Sequence, residues 1–331
     1  MKRVKLGKTG FSVTRLGLGL AALGRPGYIN LKHAQDLQHN YAESAMQQHA
    51  HAVLDAAWAT GIRYFDAARS YGLAEAFLGS WLESRHISLD EVVVGSKWGY
   101  TYTADWRVDA PVNEVKDHSL AVLTRQRQES DAALDGYLDL YQMHSATLDS
   151  GVLENRAVLS ELARYREGGL AIGLTVSGAS QVETIERAMQ VVVDGRPLFQ
   201  CIQATWNLLE PSAGKILEAA HRAGVGVIIK EALANGRLTG KNEDPDFALK
   251  LAALSEAAGQ RCSTADALAL AAALAQPWAD VVLSGAATPE QLLSNVAALD
   301  IHWDENMTAS LSSLAESPAV YWAKRSQLPW N

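Results

Sequence analysis

The sequence predicts an α/β fold, a (β/α)8 TIM barrel preceded by an N-terminal β-hairpin, and three observations predict it. Eight short apolar runs punctuate the chain: TRLGLGL, IRYFDA, VVVGSK, LDLYQMH, LAIGLTV, LFQCIQAT, VGVIIK and VVLSG. Between them lie longer stretches with helical spacing, and alternating strand and helix patterns imply a parallel sheet. The runs are continuously apolar, which implies burial on both faces. Eight such units can close into a barrel.

The elements follow in order. RVKLGKTGFSVTRL reads as a small hairpin that could plug one end of the barrel. The first strand leads into a long polar loop, residues 21–43, and loops of that length are usually functional or disordered. Gly17 to Ala22, GLGLAA, fits the G-x-G-x-x-G/A dinucleotide fingerprint. That fingerprint needs a helix to start at once. Pro26-Gly27 forbids one, so a Rossmann reading is rejected, and the glycines instead let the first strand pass close to something at its C-terminal end. Strand two ends at Asp66, with Tyr71 in the loop beyond; strand three ends at Lys97 and strand four at His144. Val158, Leu159, Leu162 and Tyr165 mark one face of a helix stopped by Gly168-Gly169. Leu292, Val296 and Leu299 do the same behind Thr288-Pro289 near the end.

Composition narrows the function. With 331 residues and 48% apolar content a large core is possible, and with no linker or abrupt change in composition, residues 1–331 are expected to form a single barrel domain. No apolar stretch approaches the length of a bilayer span, and the basic N-terminus lacks the apolar run of a signal peptide. Cys201 and Cys262 stand alone in apolar surroundings, which suggests free core thiols in a reducing, cytoplasmic compartment. The net charge is −8, with no basic stripe of the kind that wraps nucleic acid. Arg125 and Arg127 share a helical run with Glu129 and Asp131, a solvated face. Nothing in the sequence bears on oligomeric state.

Barrel chemistry gathers at the C-terminal ends of strands, and here three consecutive strands close on Asp, Lys and His. Such residues are rarely tolerated there without partners. Singly, Asp66 reads as a strand-end cap, Lys97 as an ion-pair partner, Tyr71 as a surface aromatic and His144 as a core histidine. Together they make a proton-transfer device. A phenol titrates near pH ~10; a lysine cation beside it would favour the phenolate and pull that value down. Asp66 would keep Lys97 charged, His144 would orient a substrate oxygen, and Tyr71 would exchange a proton with it.

These four residues, with GIRYFDAARSYG and LAEAFLGSWL around the first two, resemble the aldo-keto reductase superfamily, and the likeness runs from KLGKTGFSVTRLGLG to SGAATPEQLLSNVAAL. The resemblance implies a barrel that binds NAD or NADP without a Rossmann domain and transfers hydride directly between it and a small-molecule carbonyl or sugar. It implies cofactor contacts at Gly19, Asp66 and Leu233, and at Gln203 for the nicotinamide carboxamide. The family's Ser-Asn after strand five corresponds to Thr175-Val176; Thr175 keeps a hydroxyl, and Val176 cannot make the amide contact. Lys230 falls where the family has an aromatic ring stacked on nicotinamide.

The last strand and helix carry the expected phosphate site. Gly285 lets backbone approach, Thr288 can cap the helix and Pro289 suits its first turn. A helix N-terminus presents free N–H groups to an anion, although an ordinary capped helix would read the same. The resemblance adds Asn295 to the contacts, and places Gly285, Ala287 and Gln291 where the family often has the Lys or Arg that holds the 2′-phosphate of NADP. No Lys or Arg occurs between Cys262 and Ala323, and a phosphate dianion without such partners loses its strongest contacts. The expectation leans to NAD; Arg237, Lys241, Lys324 and Arg325 are the cations that could fold back.

Tyr28, Trp98, Tyr100, Tyr102, Trp106, Tyr321, Trp322 and Trp330 are candidates for the substrate wall, suited alike to apolar aldehydes and to sugar faces. Two other classes stand beside the oxidoreductase. One is a cofactor-sensing partner or regulatory subunit with slow turnover, against which the complete tetrad argues. The other is a metal-dependent hydrolase, which would need more ligands than the one His and one Asp at these strand ends.

Overall fold

A computed structural model describes residues 1–331. Eight parallel strands close into a barrel: β1 (Leu16–Gly19), β2 (Tyr64–Asp66), β3 (Val93–Trp98), β4 (Leu138–Ala146), β5 (Ala171–Val176), β6 (Cys201–Thr205), β7 (Gly226–Lys230) and β8 (Val281–Ser284). Each pairs with its neighbour in sequence, and β8 returns to β1 with Leu283 opposite Gly17. The expected (β/α)8 architecture is therefore present. Outside the strands lie α1 (Glu43–Ala59), α2 (Ala74–Ser84), α3 (Leu120–Leu134), α4 (Arg156–Glu167), α5 (Gln181–Met189), α6 (Gly214–Arg222), α7 (Ala265–Leu274) and α8 (Pro289–Val296). No helix is long and apolar enough to cross a membrane.

Local chemistry explains the element boundaries. Asn155 caps α4 by accepting from the Val158 N–H at 3.3 Å, and Val158, Leu159, Leu162 and Tyr165 bury the expected face. Thr288 caps α8 in the same way, accepting from the Gln291 N–H at 3.3 Å, with Pro289 in the first turn. That helix stops at Val296; a tight turn follows, and Leu299 is exposed instead of continuing the buried stripe. The hairpin of Arg3–Lys5 and Ser12–Thr14 closes the N-terminal mouth, where Leu6 and Val13 pack on Tyr64, Leu140, Cys201 and Ile228. Cys201 is a buried thiol as expected. Cys262 is exposed, because it sits in a left-handed turn (φ 53°) after the helix Ala248–Gly259 and not inside it.

The C-terminal mouth is roofed by the long loop after β1. Its Leu31 N–H donates to the Asn235 carbonyl of the β7 loop at 3.1 Å, and Asn331 exchanges two backbone hydrogen bonds with Tyr28, each 3.2 Å. The loop carries a single helical turn, His33–Asp36.

Candidate active site

A buried Asp–Lys pair forms the floor. Asp66 ends β2 and Lys97 lies near the end of β3; each is 1% exposed. The Lys97 ammonium pairs with the Asp66 carboxylate and donates to the Ala67 carbonyl at 2.8 Å. Asp66 Oδ1 also accepts from Tyr64 Oη at 3.2 Å, Gln142 Nε2 at 3.0 Å and Gln203 Nε2 at 3.1 Å. A carboxylate so deeply buried requires such partners. Strand geometry supplies them, since residues two apart share a face: Tyr64 lies two before Asp66 on β2, and Gln142 two before His144 on β4.

Tyr71 and His144 stand above this floor. The Lys97 ammonium is 4.9 Å from the Tyr71 ring centroid. The Tyr71 and His144 rings meet edge to face at 5.6 Å and 83°. β4 runs on to Ala146 instead of ending at His144, with its register shifting between Met143 and Ala146 and Ser145 in a left-handed conformation (φ 49°). Such an irregularity re-aims a side chain at a barrel rim. Ser70 Oγ lies 3.5 Å from His144 Nδ1. Burial, reinforced by Lys97, Lys230 and Arg25, holds His144 well below the ordinary histidine range, so its imidazole is neutral.

The Tyr71 phenol departs from expectation. Its pKa is raised, first by burial and then by the Asp66 charge, while Arg25 pulls the other way. The guanidinium carbon of Arg25 lies 5.3 Å from the Tyr71 ring centroid. Tyr71 is thus a protonated donor at neutral pH.

One cavity of about 710 Å³ runs from Tyr71 and His144 across the strand ends to the start of α8. Gly19, Asp66, Gln203, Lys230, Leu233, Gly285, Gln291 and Asn295 line it. Thr175, Ala287 and Thr288 do not. The Thr175 hydroxyl accepts from the Ser145 N–H at 2.7 Å, the Ala287 N–H donates to Gln291 Oε1 at 2.9 Å, and the Thr288 hydroxyl is the α8 cap. Lys97 lies beneath the lining. The cavity wall uses Ser145, near the end of β4, and Ser177, just after β5, whose hydroxyls are 3.2 Å apart.

Lys230 takes no stacking position: its ammonium donates to Thr205 Oγ1 at 2.9 Å and Ser177 Oγ at 3.3 Å. Burial lowers it to about 8, with Glu231 opposing. Glu231 is held at about 2 because Arg325 and Lys230 together outweigh its burial. Arg325 grips Glu231 from the C-terminal helix Pro318–Ser326, with its Nε 2.9 Å from Oε1 and 3.0 Å from Oε2. At the far end, Asp36 from the roof accepts from Gln291 Nε2 at 2.8 Å and pairs with Lys241 at 2.5 Å.

Of the candidate wall aromatics, Tyr28, Tyr100 and Trp330 line the cavity, while Trp98, Tyr102, Trp106, Tyr321 and Trp322 do not. Trp98 is fully buried. Trp106 Nε1 anchors the roof by donating to the Tyr41 carbonyl at 2.6 Å, and Tyr321 Oη accepts from Asn207 Nδ2 at 3.0 Å.

The cavity suits an elongated dinucleotide. A side chain added at Gly285 or Gly240, both in the lining, would meet nothing within 4 Å and would project into open space. Gly19, Gln203, Leu233, Gly285, Gln291 and Asn295 line the cavity's length and could hold a dinucleotide. One end offers a protonated phenol and a neutral imidazole, the other a capped helix.

By comparison with known proteins, this closed eight-stranded barrel falls among oxidoreductases that act on small carbonyl compounds. The model of the Aldo/keto reductase family matches residues 15–316, and the chain belongs to that family, whose members carry out NAD(P)-dependent carbonyl reduction. The chain is 27% identical over 351 residues to the NADH-specific methylglyoxal reductase of Escherichia coli K12, covering 96% of this chain and 99% of the relative. It is 26% identical over 341 residues to the L-glyceraldehyde 3-phosphate reductase of the same organism, covering 94% and 89%. A solved aldo-keto reductase from Bacillus halodurans in its holo form superposes with a TM-score of 0.72 at 20% identity, covering 96% of this chain and 97% of that one.

Proposed function

We propose that residues 1–331 work as one unit that interconverts an aldehyde, ketone or aldose carbonyl with its alcohol or lactone, with Tyr71 as the general acid/base. The observation that carries this reading is the meeting of the Tyr71 and His144 rings at 5.6 Å above the buried Lys97–Asp66 pair. The nicotinamide supplies hydride when bound. His144, held neutral, donates a hydrogen bond that orients the substrate oxygen. Tyr71, kept protonated by burial, gives its proton to that oxygen as negative charge develops on it; an alkoxide is a stronger base than a phenolate, so the transfer is downhill. Lys97 and Asp66 are positioning residues that fix the electrostatics beneath the ring.

The same reading takes NAD as the preferred cofactor. Asp36 supports it: a carboxylate beside Gln291 can accept from a ribose 2′-hydroxyl and repels a 2′-phosphate, and Lys241, the cation that does fold back, is already paired with it. The NADH-specific relative points the same way.

Tyr71→Phe is the test. It should reduce kcat by at least about a hundredfold, the scale of general acid catalysis, while the Kd for NADH measured by fluorescence changes less than about threefold. Retained turnover would remove the acid role from Tyr71.

A further inference from the structure

The charges at the substrate end do not balance, and the excess is positive. Three cations are matched there: Lys97 with Asp66, Arg25 with Glu114 at 2.9 Å, and Arg325 with Glu231. The fourth, Lys230, has two hydroxyls and only a distant carboxylate, Glu231 Oε1 at 3.8 Å, which Arg325 already holds. Its side chain is 15% exposed at the cavity wall, so an anion in the cavity can reach it, and a partly desolvated cation without an equal partner gains from such an anion.

Arg25 shows where completion can occur. It lies in the roof loop, 2% exposed, and lines the cavity. Nη1 alone makes its hydrogen bonds, to the Ser70 carbonyl at 2.7 Å and Glu114 Oε2 at 2.9 Å. Nε is buried without a partner, and Nη2 meets no acceptor either. Three rings pack around the guanidinium, Tyr28 at 5.2 Å, Tyr71 at 5.3 Å and Trp330 at 4.6 Å from its carbon. These rings and the Ser70 bond hold the group beside the proposed proton donor. The unsatisfied donors of a planar guanidinium match the oxygens of a carboxylate or phosphate.

We propose that the substrate is an anionic carbonyl compound, and that Arg25 is the specificity-determining residue that binds its carboxylate or phosphate, with Lys230 supplying the uncompensated charge. The 5.3 Å between the Arg25 guanidinium carbon and the Tyr71 ring restricts the anion to a position a few carbons from the reacting carbonyl. The inference rests on the carbonyl-reductase reading above and adds the class of substrate to it.

The experiment compares kcat/KM with NADH for two matched pairs, succinic semialdehyde against butanal and glyceraldehyde 3-phosphate against glyceraldehyde, in wild type, Arg25→Met and Arg25→Lys. The wild type is expected to favour one anionic member at least about tenfold; the pair that shows it tells carboxylate from phosphate. Arg25→Met should bring that ratio to about one, and Arg25→Lys should keep part of it. Because Arg25 also holds the loop beside Tyr71, both members of a pair will lose rate in the variants; the ratio is the readout that a purely structural role would not move. Succinamate and succinamide, which cannot be reduced, are titrated in parallel by tryptophan fluorescence with NADH present. Tighter binding of succinamate to wild type, abolished in Arg25→Met, supports a carboxylate site even if no carbonyl is turned over, an outcome that would defeat the reductase reading alone. Equal handling of charged and neutral members by wild type in every assay, or an anion preference that survives Arg25→Met, overturns the proposal.

Discussion

Replacing Asp36 by serine tests the cofactor reading at a single carboxylate. Its side chain is 11% exposed and already engaged by Lys241 and Gln291. Two unit charges 4 Å apart interact by about 1 kcal/mol in water and about 4 kcal/mol at the effective dielectric of a protein surface. A 2′-phosphate carries close to two charges, so even the watery limit opposes NADPH by about 2 kcal/mol, or roughly thirtyfold in Kd. Asp36→Ser removes that repulsion and frees Lys241 and Gln291 to meet a phosphate. The Kd for NADPH should fall at least about tenfold, while NADH, losing a charge-assisted hydrogen bond of about 1.5–3 kcal/mol, should bind about tenfold or more weakly. Nucleotide fluorescence titration reads both values, and competition by 2′,5′-ADP against 5′-AMP isolates the adenosine end. A wild type that binds NADPH as tightly as NADH, or an Asp36→Ser ratio equal to that of wild type, refutes the reasoning.

Two further outcomes follow from buried charge. Lys97→Met leaves Asp66 without its counter-ion and should lower the unfolding free energy by about 3–5 kcal/mol, read as a fall in the urea midpoint; adding Asp66→Leu should recover much of the loss. His33 in the roof is fully buried, and burial depresses it to about 4. Between pH 6.5 and 4 the unfolded chain takes up a proton that the folded His33 refuses, so stability falls as pH drops through this window. The contribution is about 2 kcal/mol at pH 5, and His33→Gln should flatten the dependence of the urea midpoint on pH between 7 and 5.

The barrel was legible because its strands announce themselves as apolar runs and the order of runs dictates the order of pairing. Asp66, Lys97 and His144 were legible as the polar residues closing those runs, and Gln142 could have been found by stepping back two residues from His144. Arg25 and Asp36 carried no such signal, and Arg325 was visible only as one of four cations that could fold back. They reach the cavity through a loop and a terminal helix whose paths no periodicity specifies. Thr175 lies off the cavity lining for a local reason: the irregular turn at Ser145 points its N–H at the Thr175 hydroxyl, and Ser145 and Ser177 line the cavity there. The raised Tyr71 phenol was not legible, because the residue pattern names neighbours and not the desolvation they impose.

The roof loop and the turn that bears Tyr71 touch backbone to backbone. A Cβ at Gly24 would lie 2.2 Å from the Tyr71 carbonyl oxygen, and one at Gly72, where φ is +60°, would lie 2.4 Å from the Gly24 carbonyl oxygen. Neither position tolerates a methyl group unless one chain segment retreats from the other. The path of the turn that bears the phenol is therefore constrained by two residues that have no side chains, and an alanine at either one would push that turn and the roof apart while every titrating group kept its identity.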